Sequence, residues 1–221
     1  MEDIITTVEP NATVRFIKKR AVLFYQGEIP RQALVIRHGL VKTYTITASG
    51  EERIVCLHSK GDIFPLPWIF DETSNSLFYY EAVTDCEMLS LPKATFLKLL
   101  VNNPQLLKNM LKFVTSEYTT LLLHITALEQ SRAAEKIGFT LYYLLFHYGR
   151  KLASDNYVID LKLTHPMIAS LVGLSRESVV INLRQLKRRG IIQFHHFTYE
   201  INKPLLEKFL GEDSFKDLPL R

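Results

Sequence analysis

Residues 163–190 contain two short amphipathic segments separated by one glycine, and they constrain the fold more than any other part of the chain. Thr164 is suited to cap a first helix, and Pro166 falls in its opening turn, where a missing N–H costs little. Gly173 then predicts the end of that helix, because glycine adopts the left-handed conformation that a sharp turn requires. Ser175 supplies a cap for a second helix. The pattern predicts a helix-turn-helix.

The second of these helices is apolar on one face and basic at its end. The spacing of Val179, Leu183 and Leu186 predicts the buried stripe. Residues 161–192 contain six Lys or Arg against one Glu, which is +5, whereas the whole chain carries only +4. Positive charge concentrated in this way is typical of a phosphate-binding surface. We therefore expect the exposed first turn of this helix to enter the major groove of DNA.

Residues 191–201 predict a β-hairpin directly after the second helix. Two segments rich in β-formers, Ile191–Phe194 and Phe197–Ile201, flank the pair His195-His196. Neighbouring residues on a strand point to opposite faces, and no cysteine or carboxylate cluster accompanies the pair, so a turn tip is favoured over a metal site. A hairpin here is the wing of a winged helix-turn-helix, which braces the second helix and contacts the DNA backbone.

The N-terminal half shows short strand signals between glycines that lie 11 or 12 residues apart. Its β-branched and aromatic residues predict strands at Ala33–Arg37, Leu40–Ile46, Arg53–His58, Leu77–Val83 and Cys86–Leu91. Strand and turn alternate regularly, which predicts an antiparallel β-roll of the cupin-like jelly-roll type. The two cysteines, Cys56 and Cys86, lie far apart and imply no disulfide scaffold.

A long helix is predicted over about residues 104–129, where apolar residues recur at helical spacing for about seven turns. The expected stripe comprises Met110, Leu111, Val114, Tyr118, Leu121, Leu122, Ile125 and Leu128. The simplest partner for this stripe is the same stripe of a second copy of the chain, which predicts a homodimer. The alternative is that the stripe is buried against the roll of its own chain, and both arrangements can hold together. Ser131 is expected to cap a further helix, Ala133–His147. These elements divide the chain into domains 1–130 and 131–221.

The order of these parts resembles the bacterial Crp/Fnr family of transcription regulators over nearly the whole chain. The resemblance is carried by Gly27-Glu28, the turn at Gly39, Gly61-Asp62, the helix after Asn103-Pro104, and Gly173-Leu174-Ser175-Arg176-Glu177-Ser178-Val179. It implies an α+β fold with an N-terminal antiparallel β-roll that senses an effector, a long dimerisation helix and a C-terminal winged helix-turn-helix that reads a palindrome. It also implies double-stranded DNA and RNA polymerase as partners.

The resemblance further implies that Arg176 and Glu177 contact bases, in agreement with their chemistry. Arginine matches the O6 and N7 atoms of guanine, and glutamate accepts from N4 of cytosine. Ile181 falls at a third reading position that is often arginine in the family, and it offers only apolar contact with a thymine methyl group. The expected DNA-binding residues are Thr164, His165, Ser175, Arg176, Glu177, Ser178, Ile181, Arg184, Lys187 and Arg188.

The sequence departs from the members of the family that bind cyclic nucleotides. Those members carry Gly-Glu for the ribose and Arg-Ser or Arg-Thr for the phosphate, whereas this chain has residues 64–68, Phe-Pro-Leu-Pro-Trp, and Ser76-Leu77. The polar pair that meets adenine becomes Leu121-Leu122. Without arginine the phosphate would lose charge-assisted hydrogen bonds, so cyclic AMP is not expected to be the effector. The replacement lining is Phe64, Leu66, Trp68, Phe78, Tyr80, Tyr118 and Leu122.

This aromatic lining is suited to a hydrophobic small molecule. Alternatively, the side chains fill the pocket, and the regulator is constitutive or controlled by a protein partner. Two isolated cysteines cannot provide the four thiolates of an iron–sulfur cluster. Cys56 and His58 share a strand face, for which a structural pair is favoured over a redox or metal site. No resident cofactor or metal is expected.

Other classes of function find less support in the sequence. An enzyme is disfavoured because no glycine-rich phosphate loop, zinc-protease helix or nucleophile elbow occurs. A protein-interaction module that binds no DNA would use the roll but would leave the basic helix unexplained. Residues 1–10 are acidic without an apolar run, and no segment reaches bilayer length, so we expect a cytoplasmic protein without membrane contact.

Overall fold

The structure is a computed structural model that describes residues 2–152 and 154–211. The chain divides into two compact units, Met1–Ser116 and Glu117–Arg221. The division falls inside a continuous helix of 26 residues, α4 (Pro104–Glu129), which coincides with the predicted long helix.

Two four-stranded antiparallel sheets form most of the first unit. Their strands are β1 (Thr13–Ile17), β2 (Val22–Phe24), β3 (Ala33–His38), β4 (Val41–Ile46), β5 (Glu52–His58), β6 (Ile63–Phe64), β7 (Tyr79–Ala82) and β8 (Cys86–Leu91). One sheet has the order β1-β8-β3-β6 and the other β2-β7-β4-β5, so the consecutive strands β3 and β4 lie in different sheets. The predicted antiparallel roll is confirmed, although the strand expected at Leu77–Val83 is shorter.

Among the described residues of this unit, three further α-helices precede α4: α1 (Glu2–Val8), α2 (Leu66–Ile69) and α3 (Lys93–Asn102). Strand β3 shows how they are held, because its two faces enter two different cores. Leu34 and Ile36 lie in a cluster between the two sheets. Ala33 and Val35 point the other way, into a cluster with α1, α3 and the first part of α4. A strand that is buried on both faces has a continuous run of apolar residues, and residues 33–36 of β3 form such a run.

The exposed face of α4 is apolar over most of its length. Met110 lies off this face, because it is only 2% exposed and packs in the cluster beneath α3. The structure thus removes Met110 from the expected stripe. Its seven other members, Leu111, Val114, Tyr118, Leu121, Leu122, Ile125 and Leu128, are each between 39% and 62% exposed in the single chain.

The second unit combines the end of α4 with four helices and one sheet. The helices are α5 (Ala133–Tyr148), α6 (His165–Val172), α7 (Arg176–Arg188) and α8 (Lys203–Leu210), and the strands are β9 (Gly149–Lys151), β10 (Asn156–Ile159), β11 (Ile192–His195) and β12 (Thr198–Asn202). The sheet has the order β11-β12-β10-β9, so the expected hairpin is extended by two strands that the sequence did not predict.

Helix α5 is the centre of the second unit, since residues 137–147 are all buried. Gly138 allows α8 to approach it closely: a Cβ atom there would lie 2.8 Å from Cδ2 of Leu210. The expected cap was wrong, because Arg132 occupies the N-cap position of α5, with an extended backbone and no side-chain capping bond, and Ser131 precedes it. In the described part of the chain, no helix has both the length and the apolar composition that a bilayer crossing requires.

Candidate nucleic-acid interface

The turn between α6 and α7 has the geometry that the sequence predicted. Thr164 caps α6, and its Oγ1 accepts a hydrogen bond from the amide of Met167 at 3.4 Å. Gly173 ends the helix in the left-handed conformation, at φ 66°. Ser175 caps α7, and its Oγ accepts from the amide of Ser178 at 3.1 Å. Two side-chain caps and one glycine therefore fix the angle between the two helices.

Helix α7 buries one face and presents charge on the other. Val179, Leu183 and Leu186 are at most 1% exposed and hold the helix against its own unit. The exposed residues of α7 are Arg176, Glu177, Ile181, Arg184, Gln185, Lys187 and Arg188. A rigid helix with a cationic outer face has the form and the charge that the major groove and its flanking phosphates require.

Of the other expected DNA-binding residues, Thr164, His165 and Ser178 are half-buried at the edges of this face, whereas Ser175 is exposed. The hydroxyl oxygens of Thr164 and Ser175 accept the hydrogen bonds that cap α6 and α7. Ser178 lies in the first turn of α7, where its carbonyl oxygen accepts from the side-chain amide of Asn182 at 2.8 Å. Lys187 turns toward the wing, with Nζ 4.8 Å from the ring centroid of Phe194.

His165 joins α6 to the wing. Its ring meets the rings of Phe194 and Phe197 edge to face, at centroid distances of 6.2 and 5.9 Å. Burial lowers the pKa of His165, and the positive charges of Arg176 and Arg184 lower it further. Both arginines belong to α7, so the charge of this helix acts on the ring that joins α6 to the wing.

The wing itself ends in a tight turn that lacks glycine. His196 and Phe197 both adopt positive φ values, 49° and 67°, which residues other than glycine seldom do. His195 is the last residue of β11 and pairs with Thr198. The expectation of a turn tip at this histidine pair is thereby confirmed. The turn leaves the side chain of Phe197 46% exposed beside α6.

Within the first unit, the residues expected to line the effector pocket divide between two clusters. Phe64 and Tyr80 are buried between the two sheets, stacked at a centroid distance of 5.1 Å, and Phe78 packs against the same cluster. Leu66 and Trp68 instead pack on the other side of the sheet, in the cluster with α1 and α3. Tyr118 and Leu122 belong to the exposed face of α4. A turn into α2 after β6 redirects the chain, which the residue pattern did not indicate.

The roll has a polar centre that was not predicted from the sequence. His58 and Thr43 are both buried, and Nε2 of His58 lies 2.7 Å from Oγ1 of Thr43 in a hydrogen bond. The imidazole also packs against Phe64 and Tyr80, at 5.3 and 5.9 Å between ring centroids. Burial raises the pKa of the Tyr80 phenol. The available signal was the strand alternation that places Cys56 and His58 on one face.

Comparison with known proteins assigns both units. Residues 14–103 match the cyclic nucleotide-binding domain, and residues 136–205 match the Crp-like helix-turn-helix domain. Together with the geometry of α6 and α7, these matches define a DNA-binding transcription regulator whose N-terminal domain is a β-roll of the cyclic nucleotide-binding type.

Whole-chain relatives extend this assignment. The chain is 26% identical over 193 residues to the global nitrogen regulator of Nostoc sp., covering 87% of this chain and 86% of that protein. It is 25% identical over 184 residues to the cyclic AMP receptor protein of Thermus thermophilus, covering 83% and 81%. A mutant of CooA from Carboxydothermus hydrogenoformans shares the fold, with a TM-score of 0.76 and 21% identity over 92% of this chain and 89% of that one. The chain belongs to the Crp/Fnr family, whose members are typically dimeric, non-enzymatic transcription regulators.

Proposed function

We propose that this protein binds a palindromic DNA site as a homodimer and that cyclic AMP is not its effector. In this proposal residues 1–130 form the effector domain with its dimerisation helix, and residues 131–221 form the DNA-binding domain. The bound dimer contacts RNA polymerase in the cytoplasm and thereby regulates transcription. The observation that carries the proposal is the cationic outer face of α7, directly opposite its buried stripe.

Two kinds of contact are assigned along α7. Arg176 and Glu177 lie in its exposed first turn, where side chains of a recognition helix reach base edges. Arg184, Lys187 and Arg188 lie further along and neutralise phosphates. Base contacts give sequence preference, whereas phosphate contacts strengthen binding to all sequences alike.

The homodimer is supported by the apolar face of α4. Its seven exposed apolar side chains follow a spacing of three and four residues, which is the pattern of a helix pair. A contiguous apolar face of this kind is unfavourable in water, and the same face of a second copy covers it with two-fold symmetry. A two-fold dimer presents two copies of α7, so it recognises a palindrome with half-sites about one helical turn, roughly 10 base pairs, apart.

The interior of the roll supports the exclusion of cyclic AMP. Ser76 stands where cyclic-nucleotide binders carry an arginine, and it is 2% exposed, with its hydroxyl donating to the carbonyl oxygen of Phe78 at 2.7 Å. Phe24, Phe64 and Tyr80 fill the space between the sheets. An apolar effector, or none, fits these side chains better than a nucleotide phosphate.

Selection from a random pool of DNA duplexes tests the proposed function. We expect salt-sensitive binding that enriches a palindrome. Arg176→Ala should then cost roughly 1–3 kcal/mol on the selected site and relax one base pair per half-site. Lys187→Ala is the matched control and should weaken selected and random duplexes equally. An equal loss on both duplexes for Arg176→Ala would refute its role in base reading.

A further inference from the structure

We propose that Ile181 reads the 5-methyl group of a pyrimidine, so that each half-site carries thymine opposite the middle of α7. This inference rests on the proposed function and adds a sequence preference to it. Ile181 is the one apolar side chain among the exposed residues of α7, every residue of which the structure describes.

Ile181 lies at the centre of the outward face. With 100° between successive residues, it lies almost opposite the buried stripe of Val179, Leu183 and Leu186. Its side chain is 65% exposed, although isoleucine is among the residues most often buried. A β-branched residue at an exposed helical position also has lower helix propensity than alanine, so Ile181 contributes little to the fold. Single exposed apolar residues are common on proteins, so it is the position of Ile181 at the centre of the cationic face, and not its exposure alone, that points to a contact with DNA.

The neighbours of Ile181 indicate the surface that it meets. Glu177 lies one turn before it and Arg184 one turn after it on the same exposed row. Both are suited to DNA, the first to base edges and the second to phosphates. Asn182 is the adjacent polar candidate, but its amide is turned back to the carbonyl oxygen of Ser178 at 2.8 Å. Ile181 is thus left as the side chain that faces the bases at the middle of the helix.

The chemistry of the major groove then selects the base. Isoleucine neither donates nor accepts a hydrogen bond, and the apolar group that a base pair shows in this groove is the C5 methyl of thymine. Along the helix axis Ile181 lies about 7.5 Å beyond Arg176. At a rise of about 3.4 Å per base pair, and with the helix inclined in the groove, the thymine lies at most about two pairs from the base pair that Arg176 reads.

Deoxyuridine provides the sharpest test, because it differs from thymidine only by the missing methyl group. On the selected operator, replacing that thymine in both strands of the palindrome should weaken binding about fourfold per half-site, the value of one buried methyl group. Deoxyuridine at thymines outside the reach of α7 is the matched control and should change nothing. An operator with cytosine at this position should be bound more tightly when that cytosine is 5-methylated, because the modified base again presents a methyl group to Ile181.

A variant of the protein tests whether Ile181 is the residue that contacts the methyl group. Ile181→Ala should bind thymine and deoxyuridine operators equally, and its melting temperature reports that the fold is intact. Selective binding that is indifferent to deoxyuridine at every thymine would overturn the inference and leave the proposed function standing. The inference also fails if Ile181→Ala loses as much affinity as the original protein when the thymine is replaced by deoxyuridine. Absence of any sequence-selective binding would overturn both.

Discussion

Nε2 of His124, in the second half of α4, donates a 3.0 Å hydrogen bond to the carbonyl oxygen of Leu171, in the last turn of α6. Both residues are buried, and the imidazole also stacks on Tyr143 of α5 at 4.8 Å between ring centroids. The helix with the exposed apolar stripe is thus bonded directly to the first helix of the helix-turn-helix.

His124→Phe should destabilise the protein by about 1–3 kcal/mol, because it keeps an aromatic ring but removes the donor to a buried carbonyl oxygen. Urea unfolding measures the loss. His38→Phe is the matched control, since His38 is exposed, and its effect should stay within about 0.5 kcal/mol. Equal changes in the two variants would show that the bond to Leu171 contributes nothing.

Stability should fall in mild acid through His165. Burial, then Arg176 and then Arg184 lower its pKa, so the folded protein favours the neutral imidazole. The unfolded chain has the ordinary pKa of about 6.5. The stabilisation is therefore complete above about pH 6.5 and is lost as the pH falls through the lower, folded-state pKa.

His165→Gln, which does not titrate, should lose less stability than the original protein between about pH 7 and pH 5. Urea midpoints measured across this range give the two slopes, and the other histidines cancel in the difference. Parallel slopes for the two proteins would contradict the assignment.

Leu121→Glu should convert the protein to monomers with at least about tenfold weaker affinity for its palindrome, because a glutamate in an apolar helix pair is buried without a partner. Sedimentation reports the oligomeric state and gel shift reports the affinity. Lys112→Glu introduces the same charge at an exposed position of α4 outside the stripe, and should remain dimeric. The helix-pair model fails if Leu121→Glu sediments as a dimer.

Cyclic AMP should leave the melting temperature unchanged, because the proposed function places Leu66 and Ser76 where cyclic-nucleotide binders hold the ribose and the phosphate. A ligand with a Kd of about 1 μM, present at about 1 mM, would add about 4 kcal/mol of stability and raise the Tm by several degrees. Differential scanning calorimetry distinguishes the two outcomes. A micromolar affinity for cyclic AMP in titration calorimetry would contradict the proposal that cyclic AMP is not the effector.

Much of the C-terminal site was predictable because its signals are local. Capping by Thr164 and Ser175, the left-handed Gly173 and the buried stripe of α7 depend on residues within one or two turns of each other. The same holds for the turn of the wing and for the length of α4. Short elements whose stability comes from distant partners were missed: α1, β1, β2, β6, α2, β9, β10 and α8.

The amino-acid sequence by itself thus determined the succession of a β-roll, a long helix and a helix-turn-helix, and the charge of the outer face of α7. Only the tertiary structure decided which way the ambiguous apolar residues point. It placed Met110 in a core and Leu121 in the open, and it separated Leu66 from Phe64 although two positions separate them in the chain. Periodicity shows that a face is apolar, whereas the choice between core, pocket and partner depends on which other elements pack against that face.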